Sequence, residues 1–286
     1  MIRIHQLAVI SIIIVCSCQK IEEYGPHMIT NFFNKGIPID RMTQLIERDP
    51  TCIDKNCGEV EVNYPIFKNQ KLLNQRIESI IIKELEEFIP MPNNANTISD
   101  YMQLFIKSYS LFKIQFPESK TPWFLEINVE TTYNNSGWIS FASGSKSYTG
   151  GVRINESLRY VNTDTLGRII DIEKKIGDFN ELSRRAEIIF RKQNNLAPDS
   201  HLSATGYTFE NNKFHLPKNI GINDTDILLY YNNYEIGDNA KGAMLIKIPH
   251  QLSNNMFELP YYQDIINYYQ KFLIWWSNEN KVSQEY

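Results

Sequence analysis

The chain has 286 residues, 42% of them hydrophobic and 12% aromatic, with a formal net charge of -4. That apolar share builds a substantial core and excludes disorder over most of the length. The slight acidic excess, with Lys and Arg interleaved among Asp and Glu, excludes nucleic acid as a partner, which would call for a basic stripe.

The N-terminus carries Arg3 and an apolar run from Leu7 to Val15. At about nine residues the run falls well short of the roughly 20 that a membrane-crossing helix needs, so residues 1–17 read as a signal peptide. Ser17 is the small residue a signal peptidase accepts before its cut, whereas bulky Val15 precedes Cys16, which makes Cys18 the expected new N-terminus. "VCSC" resembles a bacterial lipoprotein box, in which the cysteine thiol receives a diacylglyceryl group and the freed amine is acylated. The resemblance implies an exported chain held to a membrane through lipid on Cys18. "CQKIEE" sets Lys20, Glu22 and Glu23 directly behind that cysteine and resembles the surface-export tag of Bacteroidota lipoproteins, which implies an outer-membrane or cell-surface address. Several acyl chains, each contributing about 0.8 kcal/mol per buried methylene, hold far more firmly than one. An ordinary cleaved signal or an uncleaved N-terminal helix is the alternative.

Residues 18–50, with "YGP", "NKGIP" and the modestly apolar "MTQLIERDP", read as a tether with at most a short helix. Cys52 and Cys57 in "CIDKNC" form an even pair, which in an oxidising compartment suggests a disulfide, with two free thiols as the alternative. Closing so short a loop contributes only about 2 kcal/mol. The C-x4-C spacing, with no second Cys or His pair, does not build a zinc site.

From Gly58, "EVEVNYPIF" alternates as a strand, with Val60, Val62 and Tyr64 on one face. "QKLLNQRIESIIIKELEEFI" changes to a helical period, with Leu72, Ile77, Ile80, Ile81, Leu85 and Ile89 as the apolar stripe. A second helix is predicted in "ISDYMQLFIKSYSLFKIQ", stopped at Pro117, then strands in "WFLEINVETTYN", "GWISFASGS" and "SLRYVNTDT". A turn is expected at Asp164–Gly167, and a helix in "GDFNELSRRAEIIFRKQN" with Asp178 as its cap. Asn211 and Asn212 sit between two short alternating runs and suggest a hairpin. "TDILLYYNNY" and "AKGAMLIKIP" are further strands, and apolar pairs from 261/262 to 275/276 mark a closing helix with a wide aromatic face. Strands and helices cluster rather than alternate, so the class is α+β, mainly antiparallel sheet with packed helices behind an N-terminal lipidated tether. The expected modules are residues 51–120 and residues 121–286, the second ending in the aromatic helix.

No motif for catalysis stands out, and no cofactor or metal is expected. "SGSK", Ser143 to Lys146, matches S-x-x-K, but its Gly- and Ser-rich surroundings favour a hairpin tip over the helical turn that acyl-enzyme chemistry requires. His27, His201, His215 and His250 stand singly, without metal-ligand spacing. A carboxylate pair for glycan hydrolysis could be assembled by folding, but nothing in the sequence selects one. The stretches "YTGGVRINE" and "YYNNYEIGDNAKGAMLIKIP" read as turns with packed tyrosines, or as a binding rim made of Tyr148, Arg153, Asn155, Tyr234 and Glu235.

"VEVNYPIF" with "LLNQRIESII" resembles the N-terminal module, and "YTGGVRINESLRYVNTDTLGRIIDI" with "LLYYNNYEIGDNAKGAMLIKIPHQL" the C-terminal module, of the RsiV-like/PdaC-like extracellular domain pair of unknown function. Tyr234, Glu235, Ile236, Gly237, Gly242 and the "IKIP" strand carry the likeness most specifically. The family occurs in an anti-sigma-factor ectodomain that binds lysozyme and in the non-catalytic part of a deacetylase. The resemblance implies a cell-envelope binding module for a protein such as lysozyme or for a cell-wall glycan. The alternatives are an assembly lipoprotein that docks a partner through its C-terminal helix and a glycan-active hydrolase.

Overall fold

In this computed structural model the described residues are 36–51, 57–89, 95–135, 137–198, 200–237 and 242–249. Cys18, Cys52 and the expected helix at 261–276 lie outside them. Everything below concerns the unit that begins at Ile37.

That unit opens with β1 (Ile39–Arg48), β2 (Gly58–Phe67), α1 (Lys71–Glu86) and α2 (Ile98–Gln115), continues with β3 (Trp123–Asn135), β4 (Trp138–Tyr148) and β5 (Asn155–Asp164), and then α3 (Phe179–Gln193). It closes with β6 (Ile220–Ile222), β7 (Asp226–Tyr231) and β8 (Met244–Pro249). The first five strands form one sheet in sequential order, antiparallel except that β2 and β3 run parallel, and β6–β8 form a second, antiparallel sheet. The parallel step is the one joined by both helices, since a parallel pair needs a long crossover. The expected α+β class is observed.

The helices form where caps and spacing dictate. Thr97 accepts from the Asp100 amide while the Asp100 carboxylate accepts from the Thr97 amide, a reciprocal cap that starts α2; Asp178 accepts from the Glu181 amide at 2.9 Å and starts α3. In α1 the buried face runs Leu73, Ile77, Ile81, Leu85, four residues apart, whereas Leu72, expected in the stripe, is 57% exposed. The i, i+4 register read back from Ile77 reaches Leu73, which is why its neighbour turns outward.

The first sheet carries a core on each face. Val60, Val62, Leu125, Ile127, Ile139 and Phe141 pack beneath α1 and α2, while Trp138 joins α3 and β6–β8 in a second cluster centred on Phe190 and Tyr231, both 0% exposed. The alternation of a strand makes this division, since neighbouring residues of β4 point to opposite faces.

Several expectations are corrected. Residues 39–48, read within the tether, are β1, paired antiparallel with β2. The boundary expected between 120 and 121 cuts through the first sheet, because β2 pairs directly with β3. The Asn211–Asn212 hairpin is absent: both asparagines adopt left-handed backbone (φ 52° and 54°) in a short 3-10 turn, and Tyr207 instead bridges to Gly237. Phe209 and Phe214 on either side of that turn pack against Phe190, at ring separations of 5.2 Å and 5.6 Å, and core packing wins over cross-strand pairing. "SGSK" is the middle of β4, not a hairpin tip, and its three-residue spacing in a strand turns Ser143 and Lys146 to opposite faces.

Phe190 contacts Tyr207, Phe209 and Phe214 and is fully buried. Phe190→Ala is expected to lower the unfolding free energy by about 3–5 kcal/mol, read from urea denaturation; a loss below about 1 kcal/mol would mean that this aromatic cluster does not hold the second core.

Candidate functional site

Strand β5 ends the first sheet, and its outward backbone groups are met by asparagine side chains. Asn219 accepts from the Tyr160 amide at 2.7 Å and donates to the Leu158 carbonyl at 2.6 Å. Asn232 accepts from the Leu158 amide at 2.8 Å and donates to the same carbonyl at 3.0 Å. A primary amide presents a donor beside an acceptor, as a strand does, and so closes the edge without a further strand. Deeper in, Trp138 donates to Asn162, which donates to the Ile220 carbonyl at 2.8 Å, and Thr132 donates to the Ile222 carbonyl at 2.8 Å. Gly221 crosses the Tyr160 ring so closely that a Cβ there would stand 2.4 Å from ring carbons, which is why this position has no side chain.

The clamp brings the turn after β7 beside the loop joining β4 to β5. Between them lies a cleft of about 440 Å³ lined by Thr149, Gly150, Gly151, Val152, Arg153, Asn155 and Tyr234. Three of the five rim residues expected from sequence, Arg153, Asn155 and Tyr234, therefore meet at one site. The other two support it. Tyr148 donates to the Gly151 carbonyl at 3.0 Å and stacks on Phe124, fixing the loop. The Glu235 carboxylate accepts from the Asn232 amide at 2.9 Å and fixes the turn. Tyr234 itself is 65% exposed and sits at φ 67°, a left-handed conformation that costs a bulky residue energy. Thr149 and Val152, the latter 98% exposed, were not singled out by sequence; adjacency to the paired glycines was the signal for them.

A second cleft, of about 420 Å³, lies on the first sheet's outer face over β1, β2 and β3 and was not anticipated. Gln44 and Asn63 donate to the same Glu61 oxygen at 2.7 Å and 2.8 Å, and Asn63 donates on to Asn128 at 2.9 Å. The alternate polar positions of "EVEVNY" and "LEINVE" were its sequence signal.

The most unusual titratable group is Glu84, 1% exposed on α1. Burial pushes its carboxyl above the ordinary glutamate range, partly opposed by Arg159, whose Nε lies 3.4 Å away while its Nη2 holds Glu87 at 2.8 Å. Glu84 lines neither cleft. Among the described residues no group of three His, Cys, Asp or Glu side chains could hold a metal, and no helix is long and apolar enough to cross a membrane.

Residues 52–153 match the family model described as Deacetylase PdaC, and residues 171–251 match that described as Protein of unknown function (DUF3298). The chain carries a PdaC-like domain followed by a DUF3298 domain. The rim thus joins the end of the PdaC-like domain, Thr149–Arg153, to Tyr234 of the DUF3298 domain. A crystal structure of a DUF3298 family member from Bacteroides fragilis NCTC 9343 is 19% identical with a TM-score of 0.60, covering 78% of this chain and 95% of that one. Another, from Pseudomonas aeruginosa PAO1, is 15% identical with a TM-score of 0.61, covering 79% of this chain and 96% of that one. At these identities the likeness is one of fold. No curated protein matches the chain.

A carboxyl whose pKa is raised by folding contributes stability in full below its unfolded pKa and loses it as pH rises through the folded value. Replacing Glu84 with Gln removes that contribution, so the variant's stability relative to the parent is expected to improve as pH rises over the range from about pH 4 upward and to level off once the raised value of the buried carboxyl is passed. Thermal melts of both proteins across that range check this; parallel curves would mean that the buried carboxyl carries no shift.

Proposed function

We propose that the chain is an exported lipoprotein, held by acyl chains on Cys18 to the outer membrane or cell surface, whose domain pair binds a protein or a cell-wall glycan without transforming it. The anchor rests on "VCSC" and "CQKIEE", and Cys52 paired with Cys57 staples the loop ahead of β2, where Cys57 is buried.

The observation that carries the binding reading is the cleft between the β4–β5 loop and the Tyr234 turn. Its walls are fixed by their own hydrogen bonds, Tyr148 to Gly151 and Asn232 to Glu235, so a ligand need not order them, and affinity is not lost to that ordering. An exposed tyrosine beside an arginine is the pairing that dominates protein interfaces, and tyrosine offers large contact area at low entropic cost. The Asn155 amide and the Thr149 hydroxyl that line the cleft suit hydroxyl-rich glycans equally. Lysozyme is the first protein to test, because the sequence resemblance points to it.

Calorimetric titration with lysozyme and with soluble cell-wall fragments is expected to give binding to one of them, weakened about tenfold or more in Tyr234→Ala and in Arg153→Ala. Affinity unchanged in both variants would remove the rim from the reading. Mass spectrometry of the mature N-terminal peptide is expected to begin at an acylated Cys18; a peptide beginning at Met1 would overturn the anchor.

A further inference from the structure

Strand β1 ends the first sheet on the side away from β5, and among the described residues nothing pairs with its outer side. The bond from the Asp49 amide to the Gly58 carbonyl, 3.0 Å, sets the phase of its ladder with β2. Bonded pairs alternate with unbonded ones in an antiparallel ladder. Glu47, Leu45, Thr43 and Arg41 therefore direct their backbone groups to β2, and Arg48, Ile46, Gln44 and Met42 direct theirs outward. Pro65, which has no amide hydrogen, stands opposite Met42 and agrees with that phase. Such an edge is a template for a further strand, and two of its apolar side chains, Met42 and Ile46, are 58% and 45% exposed.

The sequence of this edge is complementary to its own reverse. When "IDRMTQLIER" is laid antiparallel on a second copy about Gln44, Arg41 faces Glu47 and Met42 faces Ile46, each pair occurring twice, and Asp40, at the irregularity between Ile39 and Arg41 where the regular ladder ends, comes next to Arg48. An axis on Thr43 would set Arg41 against Leu45 and Asp40 against Ile46, losing both charge matches. Edges guarded against pairing carry charges that repel a second copy. Here the signs run minus, plus at each end, the order in which two antiparallel copies attract. The backbone phase agrees, because Gln44 is an outward residue and the two-fold then falls on a pair able to exchange both hydrogen bonds. The neighbours that Arg41 and Arg48 hold in the single chain, Asp40 and Glu59, are solvent-facing ion pairs and cost little to rearrange.

We propose that β1 is a homodimerisation edge, joining two copies antiparallel about Gln44 so that their five-stranded sheets run on as one. The contact is isologous, as a two-fold dimer requires.

Sedimentation equilibrium of the full chain in detergent solution is expected to give the protein mass of two copies. Glu47→Arg sets like charges opposite each other twice and should weaken the dimer about tenfold, and adding Arg41→Glu should restore it. Gln44→Cys should give a covalent dimer on oxidation, because Cα atoms of a bonded antiparallel pair lie about 5.5 Å apart, within disulfide reach; the parent run alongside reports any cross-linking by its own cysteines. A single-copy mass at about 100 µM, a dimer indifferent to Glu47→Arg, or a double variant that fails to recover would each overturn the proposal.

Discussion

The arrangement of the molecule depends on how the outer flank of β5 is closed. A terminal strand leaves amide and carbonyl groups unpaired, and covering them with another layer is costly unless partners are supplied. Asn219 and Asn232 supply them, two contacts each, to Leu158 and Tyr160. These asparagines stand at either end of the β6–β7 hairpin, just before β6 and just after β7, so the clamp fixes that hairpin on the first sheet. It also carries the Tyr234 turn to the β4–β5 loop. The cleft is thus a by-product of edge closure: with Asn232 elsewhere, Tyr234 would have no reason to stand beside Arg153.

Polar contacts at the junction give direction to what is otherwise apolar packing. The second core would tolerate sliding of β6 over the sheet, but the Trp138–Asn162–Ile220 chain and the Thr132 bond to Ile222 each fit one position, and Gly221 above Tyr160 admits one depth. On the opposite face, Glu84 and Arg159 tie the end of α1 to β5. Glu84 is buried while the Arg159 side chain keeps contact with solvent, so the pair joins a buried carboxyl to a partly solvated guanidinium. Both faces of β5 are therefore held by polar groups, which fixes the strand that follows the β4–β5 loop.

Much of the architecture was legible because it is written locally. The helical period with the breaker at Pro117 and the cap at Asp178 bound α2 and α3 within a residue, and the turn expected at Asp164–Gly167 is closed by a bond from the Gly167 amide to the Asp164 carbonyl; the reciprocal cap at Thr97 and Asp100 was not anticipated. Strand β1 was hidden because its apolar residues fall on both faces, Leu45 inward and Met42 and Ile46 outward, which erases the period-two signal. The Asn211–Asn212 turn misled because left-handed asparagines serve hairpins and other tight turns alike. Of the site, the loop residues were visible through Gly150 and Gly151 and the turn residues through their tyrosines. Of the polar ladder over Gln44, Glu61, Asn63 and Asn128 only the alternation was written in the sequence; which residues meet depends on the parallel registration of β2 with β3 across two intervening helices, which no local pattern encodes.

The two flanks of the first sheet are unlike. One is stoppered by asparagine amides and by the DUF3298 strands; the other, among the described residues, is unpaired. A ribbon with a single sticky side has no route to indefinite growth: once two such sides have met, both ends of the joined ribbon are sealed. The asparagine stopper that shapes the cleft therefore also guards against fibre formation, the hazard of any sheet with two open edges.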